Sequence, residues 1–165
     1  MIKPAQSLLD MYIIQDAVLS NSITVSVGDA VIINGSAPEF VTTAAGGTGI
    51  VLGTIVTIKG GASQGNTPLQ VSTVTTASDN QTVDKISVDI LPSQSLTTMI
   101  ADLDDTAGTT ANSQYFGYFN LSGTDSGLLD ESTYAAATEK QFLSYGLVPG
   151  STTQVLGVWT KIAQA

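Results

Sequence analysis

Two dense runs of β-branched residues dominate the pattern of apolar and polar positions. Ile23–Ile33 places Val25, Val27 and Val31 on one parity, separated by Ser26 and Asp29. Ile50–Ile58 reads Ile-Val-Leu-Gly-Thr-Ile-Val-Thr-Ile. β-Branched side chains suit a pleated, half-buried surface, so both runs predict strands. Gly28-Asp29 marks a bulge or bend inside the first run. Asn34-Gly35 is a hairpin signal, and Glu39–Thr43 is the expected return strand.

Further along, Leu69–Thr76 alternates and reads as a strand. Asp79-Asn80 turns the chain, and Val83–Leu91 puts Ile86, Val88 and Ile90 on one inward face. These two segments together predict a second hairpin. Leu96, Met99, Ile100 and Leu103 fall at i, i+3, i+4 and i+7, which predicts one short helix over 93–103, capped by Ser93 or Ser95. Tyr115–Leu121 carries four aromatic residues and reads as a strand. The chain closes with a strand, the Pro149-Gly150 turn, and a last strand within Thr153–Ile162.

The N-terminal stretch, residues 1–20, is open between a helix and a strand. Pro4 suits a first helical turn, with Leu8, Met11, Tyr12 and Gln15 at helical spacing, yet Met11-Tyr12-Ile13-Ile14 is also a good strand. A segment this apolar must dock, either on its own core or as an arm on a neighbouring subunit. The pattern therefore predicts a mainly β fold, a β-barrel or β-sandwich with one short helix and an N-terminal arm. Residues 21–165 form one β-rich domain, or two packed units over 21–91 and 109–165.

Composition adds exclusions. The chain has 165 residues, 42% hydrophobic and only 12% charged. Ser, Thr and Gly make up roughly a third of it, so solubility rests on hydroxyls and turns. A neutral hydroxyl surface packs against a neighbour without burying unpaired charge. Five lysines face fourteen acids, with no arginine or histidine, for a net charge of −9. That balance disfavours nucleic acid and anionic membrane surfaces as partners. Without cysteine there is no thiol nucleophile, disulfide or zinc–thiolate site. No apolar run has the length of a membrane-spanning helix, and Asp10 and Asp16 interrupt the N-terminus as a signal peptide. Use without Sec-type export is the expectation.

Candidate chemistry is sparse. The Gly46-Gly47-Thr48-Gly49 loop lacks the lysine-containing ending of a phosphate loop and precedes a β run rather than a helix. Asp102, Asp104 and Asp105 form the one acidic cluster, a candidate calcium loop by oxygen density alone, since the EF-hand spacing is not matched. Asp130 and Glu131 are adjacent, so on a strand they point to opposite faces and make no carboxylate pair. Ser132 and Ser144 have no histidine to act as base. The aromatic residues Tyr115, Phe116, Tyr118, Phe119 and Trp159 are read as core and oligomer contacts, or as platforms for sugar stacking. No catalytic residue and no cofactor is expected.

Leu129-Asp130-Glu131-Ser132-Thr133, a tract ending in Gln141-Phe142, then Gly146-Leu147-Val148-Pro149 and the β-rich tail Thr153–Ile162 resemble the C-terminal part of tailed-bacteriophage decoration, cement or auxiliary head proteins. Val27-Gly28-Asp29-Ala30-Val31 is similar in style. The resemblance implies a β-rich, non-enzymatic virion protein, made in the host cytoplasm, that binds the major capsid protein on the capsid exterior as a homo-oligomer, often a trimer. On that reading the partner contacts are Met11, Tyr12, Ile13, Ile14, Tyr115, Phe116, Tyr118, Phe119 and Trp159. A carbohydrate-binding or adhesin-like sandwich, or another structural subunit of the virion, is the alternative.

Overall fold

A computed structural model describes residues 13–44, 50–61, 64–93, 98–105, 117–123, 127–133 and 139–160. The chain is mainly β, with curled sheets that form a half-barrel and almost no helix among the described residues. The strands run in chain order: β1 Ile14–Val18, β2 Thr24–Ser26, β3 Ala30–Ile33, β4 Val41–Thr43, β5 Gly53–Lys59, β6 Thr73–Thr75, β7 Ser87–Pro92, β8 Met99–Leu103, β9 Tyr118–Phe119, β10 Leu128–Leu129, β11 Phe142–Leu147 and β12 Gln154–Trp159. A 3-10 turn at Glu131–Thr133 follows β10.

Three sheets result. The first has the order β1-β7-β5-β3-β4, the second β10-β8-β12-β11-β9, and a two-stranded ribbon joins β2 to β6. Neighbours are antiparallel except β10 and β8.

The first sheet is buried on both faces, and β3 explains how. Val31 points into a core with Leu19, Val25, Val41, Ile55, Ile58, Val88 and Ile90, beneath the ribbon. Its neighbours Ala30 and Ile32 point the other way, into a core built mostly from the second sheet: Leu103, Phe119, Leu129, Phe142, Val155 and Trp159. Alternation sends successive side chains to opposite faces. A run of consecutive apolar residues is what a strand between two cores requires.

Two bulges adjust the phase of the first sheet. Ile55 pairs with Ile90 and Thr57 with Asp89, so β5 carries one extra residue, Val56. That re-phasing lets Ile55 and Ile58, three apart, reach the same core. On the other side of β7, Ile14 pairs with Ile90 and Ala17 with Val88, again with one extra residue on β1. Asp16 lies in this bulge with φ of 56°.

Several expectations change. The run Ile23–Ile33 is two strands in two sheets, because Gly28 turns at φ of 101° and Asp29 Oδ2 accepts the Ser26 N–H at 2.8 Å. Val27 is consequently exposed, unlike Val25 and Val31. Residues 34–40 join β3 and β4 as a real hairpin, in which Asn34 Oδ1 accepts the Ser36 N–H at 3.0 Å. The second expected hairpin does not form, since β6 pairs with β2 and β7 sits between β1 and β5. Its inward set Ile86, Val88 and Ile90 is nevertheless correct. Buried Asn80 holds the turn, donating to the Leu19 carbonyl and accepting the Ile86 N–H, both at 2.8 Å.

The helix over 93–103 is corrected to a strand in its second half. Met99, Ala101 and Leu103 pack on the core while Ile100 and Asp102 are exposed, a period of two. β12 supplies the backbone partners that a helix would have found internally. Ser93, the expected cap, instead donates its hydroxyl to the Val51 carbonyl at 2.7 Å. The expected cap Ser95 and the apolar Leu96 lie outside the described residues. The strand Ile14–Val18 within the expected arm is an integral edge of the first sheet, and the remainder of the arm lies outside the described residues.

Candidate functional site

The ribbon presents a built polar surface. In β2 and β6 the sequence alternates hydroxyl and valine: Thr24-Val25-Ser26 and Thr73-Val74-Thr75. Valines 25 and 74 turn inward, directly opposite one another. The four hydroxyl residues turn outward in register and bond across the strands, Thr24 Oγ1 to Thr75 Oγ1 at 2.8 Å and Ser26 Oγ to Thr73 Oγ1 at 2.9 Å. Exposed Val27 and Val71 continue the ribbon at one end. The result is an uncharged ladder whose hydroxyls each donate and accept. Removing such a surface from water is far less costly than removing charged groups.

A second polar cluster lies on the first sheet, where the two bulges flank Asp89. Lys59 Nζ stands 2.7 Å from Asp89 Oδ1 and 3.0 Å from Asp16 Oδ1. The Asp16 backbone N–H also donates to Asp89 Oδ1 at 3.2 Å. The bond to Asp89, and then that to Asp16, raises the Lys59 pKa above the ordinary lysine value. Across from Lys59 lies Ser87, whose Oγ is buried without a hydrogen-bond partner. A serine–lysine catalytic pair needs a neutral lysine bonded to the hydroxyl. Here the lysine is held protonated by aspartates and the hydroxyl is unbonded, so the cluster is an ion-pair clamp tying β1 and β5 to β7.

Between the two large sheets lies a cleft of about 170 Å³, lined by Thr54, Met99, Ala101, Asp102, Leu129 and Trp159 among others. Trp159 Nε1 donates to Thr54 Oγ1 at 3.0 Å, which joins the sheets through a buried bond. The Trp159 ring meets Phe142 edge-to-face at 5.2 Å and 85°. Asp102 is the one titratable residue bordering it among the described residues, but its carboxylate is engaged on the outer face of the second sheet, where Gln154 Nε2 donates to it at 2.7 Å.

The expected site residues separate accordingly. Phe119 and Trp159, read from sequence as oligomer contacts, are buried in the core against the chain's own strands. Their place on the inward parity of β9 and β12 puts them there. Tyr118, next to Phe119, is exposed, with Lys140 Nζ 5.5 Å over its ring, so one face of this sugar-stacking candidate is covered. Ile13 is exposed and Ile14 packs partly on the core under the ribbon. Met11, Tyr12, Tyr115 and Phe116 lie outside the described residues, as does the loop 46–49. Within the acidic cluster, Asp104 Oδ1 accepts the Glu131 N–H at 3.0 Å, and no group of three or more metal-ligating side chains converges among the described residues. Asp130 Oδ1 accepts from both the N–H and the hydroxyl of Ser132, capping the 3-10 turn.

Sequence reading missed the hydroxyl ladder, although the hydroxyl–valine–hydroxyl triplets were visible. What was hidden was their pairing, across 47 to 51 residues. The Lys59 clamp had no local signal. No helix among the described residues is long and apolar enough to cross a membrane. No protein-family model matches the chain, and neither a curated protein nor a solved structure matches it.

Proposed function

We propose that this chain is a non-enzymatic structural protein of a phage virion that binds the outer surface of the capsid and stabilises or decorates it. The observation that carries the reading is the hydroxyl ladder of β2 and β6. It is an exposed, uncharged face on an otherwise acidic protein, tied by cross-strand bonds and backed by buried Val25 and half-buried Val74. A repeated protein shell offers many small polar contacts rather than one deep pocket. A pre-ordered hydroxyl face suits that geometry, because it exchanges water for partner hydrogen bonds with little ordering of its own. The resemblance of the C-terminal tract to decoration and cement proteins points the same way, toward the major capsid protein as partner and a homo-oligomer, with a trimer favoured.

The test is co-sedimentation of the purified chain with undecorated heads. Binding is expected, and Thr75→Glu, which places a carboxylate on the Thr24–Thr75 rung of the ladder, is expected to abolish it without unfolding the protein. Failure of the wild-type chain to bind heads, together with no copy in virion proteomics, would overturn the reading. Binding that survives Thr75→Glu unchanged would remove the ladder as the contact.

A further inference from the structure

The outward face of the second sheet has a different character from the ribbon. Its inward parity holds Phe119, Phe142, Val155 and Trp159 in the core. Its outward parity is also apolar. Tyr118 lies opposite Leu143, and Leu143 opposite Val158, giving a row across β9, β11 and β12. Leu156 lies opposite Ile100, giving a second row across β12 and β8. Tyr145 stands in the β11 bulge between Ser144 and Gly146. Ile100 is 59% exposed, Tyr145 40% and Tyr118 37%. Sheets ordinarily turn polar residues to water on the face away from the core, so this face departs from that pattern.

Charge stands at two opposite corners of the face. Lys140 sits over Tyr118 at the β9 edge, near the end of β12 that carries Trp159. Asp102 points outward from β8, paired with Gln154 at the other end of β12. We propose that two copies of this chain meet here, face to face across a two-fold axis. With a net charge of −9, two copies repel wherever their acids are exposed. A face with an apolar centre is where they can approach. A two-fold axis lying in the plane of the face, midway between the corners, carries Lys140 of each copy onto Asp102 of the other. The pairing is therefore self-complementary, with two reciprocal ion pairs around an apolar centre. A partner of uniform charge would meet one of the two corners with like charge.

The five strands hold 21 residues, each covering about 4.8 by 3.3 Å of sheet, and so present about 330 Å² per copy. A standard stable interface buries about 800 Å² per partner. The contact is therefore weak in free solution and gains effect where copies are held side by side. An isologous two-fold contact is not the heterologous contact that closes a trimer, so on a shell it links copies of neighbouring oligomers, and the inference rests on the proposed function only for that setting.

Sedimentation velocity of the full chain over micromolar to millimolar concentration tests it, with a reversible monomer–dimer equilibrium expected. Ile100→Glu adds a carboxylate from each copy to the apolar patch, two residues from Asp102, and is expected to raise the dissociation constant at least about a hundredfold. Lys140→Glu and Asp102→Lys are each expected to raise it about tenfold, and the double variant to return to within about threefold of wild type. Circular dichroism and melting curves establish that these exposed variants are folded. A chain that stays monomeric at millimolar concentration overturns the proposal. So does an oligomer indifferent to Ile100→Glu, or a double charge exchange that fails to restore pairing. Head co-sedimentation is read separately: a wild-type chain that dimerises through this face but does not bind heads sustains the pairing and removes the capsid reading alone.

Discussion

Replacing Lys59 by methionine isolates the clamp that holds β1 and β5 to β7. Methionine keeps most of the aliphatic stem and removes only the charge. The Lys59 side chain is 13% exposed and Asp89 14%, whereas Asp16 is 50% exposed. The two contacts are therefore unequal. A hydrogen bond between charged, mostly buried groups contributes about 1.5–3 kcal/mol, and a pair with a half-exposed carboxylate about 0–1 kcal/mol. Lys59→Met is then expected to destabilise the fold by about 2–3 kcal/mol, which lowers the melting temperature by about 4–12 °C for a chain of this size. Asp89→Asn should cost more than Asp16→Asn, whose cost stays under about 1 kcal/mol.

The pH dependence has a definite sign. The folded-state pKa of Lys59 lies above the ordinary lysine value. Its stabilisation is thus fully present below that ordinary value, about 10.4, and is lost as pH rises through the higher folded value. The stability gap between wild type and Lys59→Met should be constant around neutrality and narrow as pH rises into strong alkali. Urea denaturation at several pH values measures it. A neutral-pH gap below about 0.5 kcal/mol, or Asp16→Asn matching Asp89→Asn, would refute the reasoning.

Three other substitutions probe the packing. Thr54→Val keeps the shape but removes the acceptor of the buried Trp159 N–H, and is expected to cost about 1–3 kcal/mol in denaturant titrations. Gly157→Ala brings a Cβ onto the Leu143 carbonyl oxygen and the Phe142 ring, so that β11 and β12 must part. A loss of about 3 kcal/mol or more, or failure to fold, is expected on calorimetry. Ser87→Ala removes a buried hydroxyl that lacks a partner and should leave stability unchanged or raise it, by about 1 kcal/mol at most, in denaturant titrations.

Much of the fold was legible because burial imposes a period. Val155, Gly157 and Trp159 alternate with Leu156 and Val158, and the first set is the buried one. Ile86, Val88 and Ile90 were readable inward for the same reason. The segment Met99–Leu103 misled because Leu96, Met99, Ile100 and Leu103 satisfy helical spacing while Met99, Ala101 and Leu103 satisfy a period of two. Only the neighbouring β12 decided between the two.

The chain by itself determined that this would be a charge-poor, turn-rich β protein without histidine, cysteine or arginine chemistry, since composition and alternation are local properties. Tertiary structure alone decided which strands became neighbours. It moved β6 away from β7 and onto β2, so that hydroxyls about fifty residues apart met as a ladder. It placed a lysine between aspartates 43 and 30 residues away in sequence. It also separated the adjacent aromatics Tyr118 and Phe119, sending Phe119 inward beside Trp159 and leaving Tyr118 out. Strand pairing is set by the joint burial of both faces of the first sheet. No single segment carries that information, because each strand is half of a contact whose other half lies elsewhere in the chain.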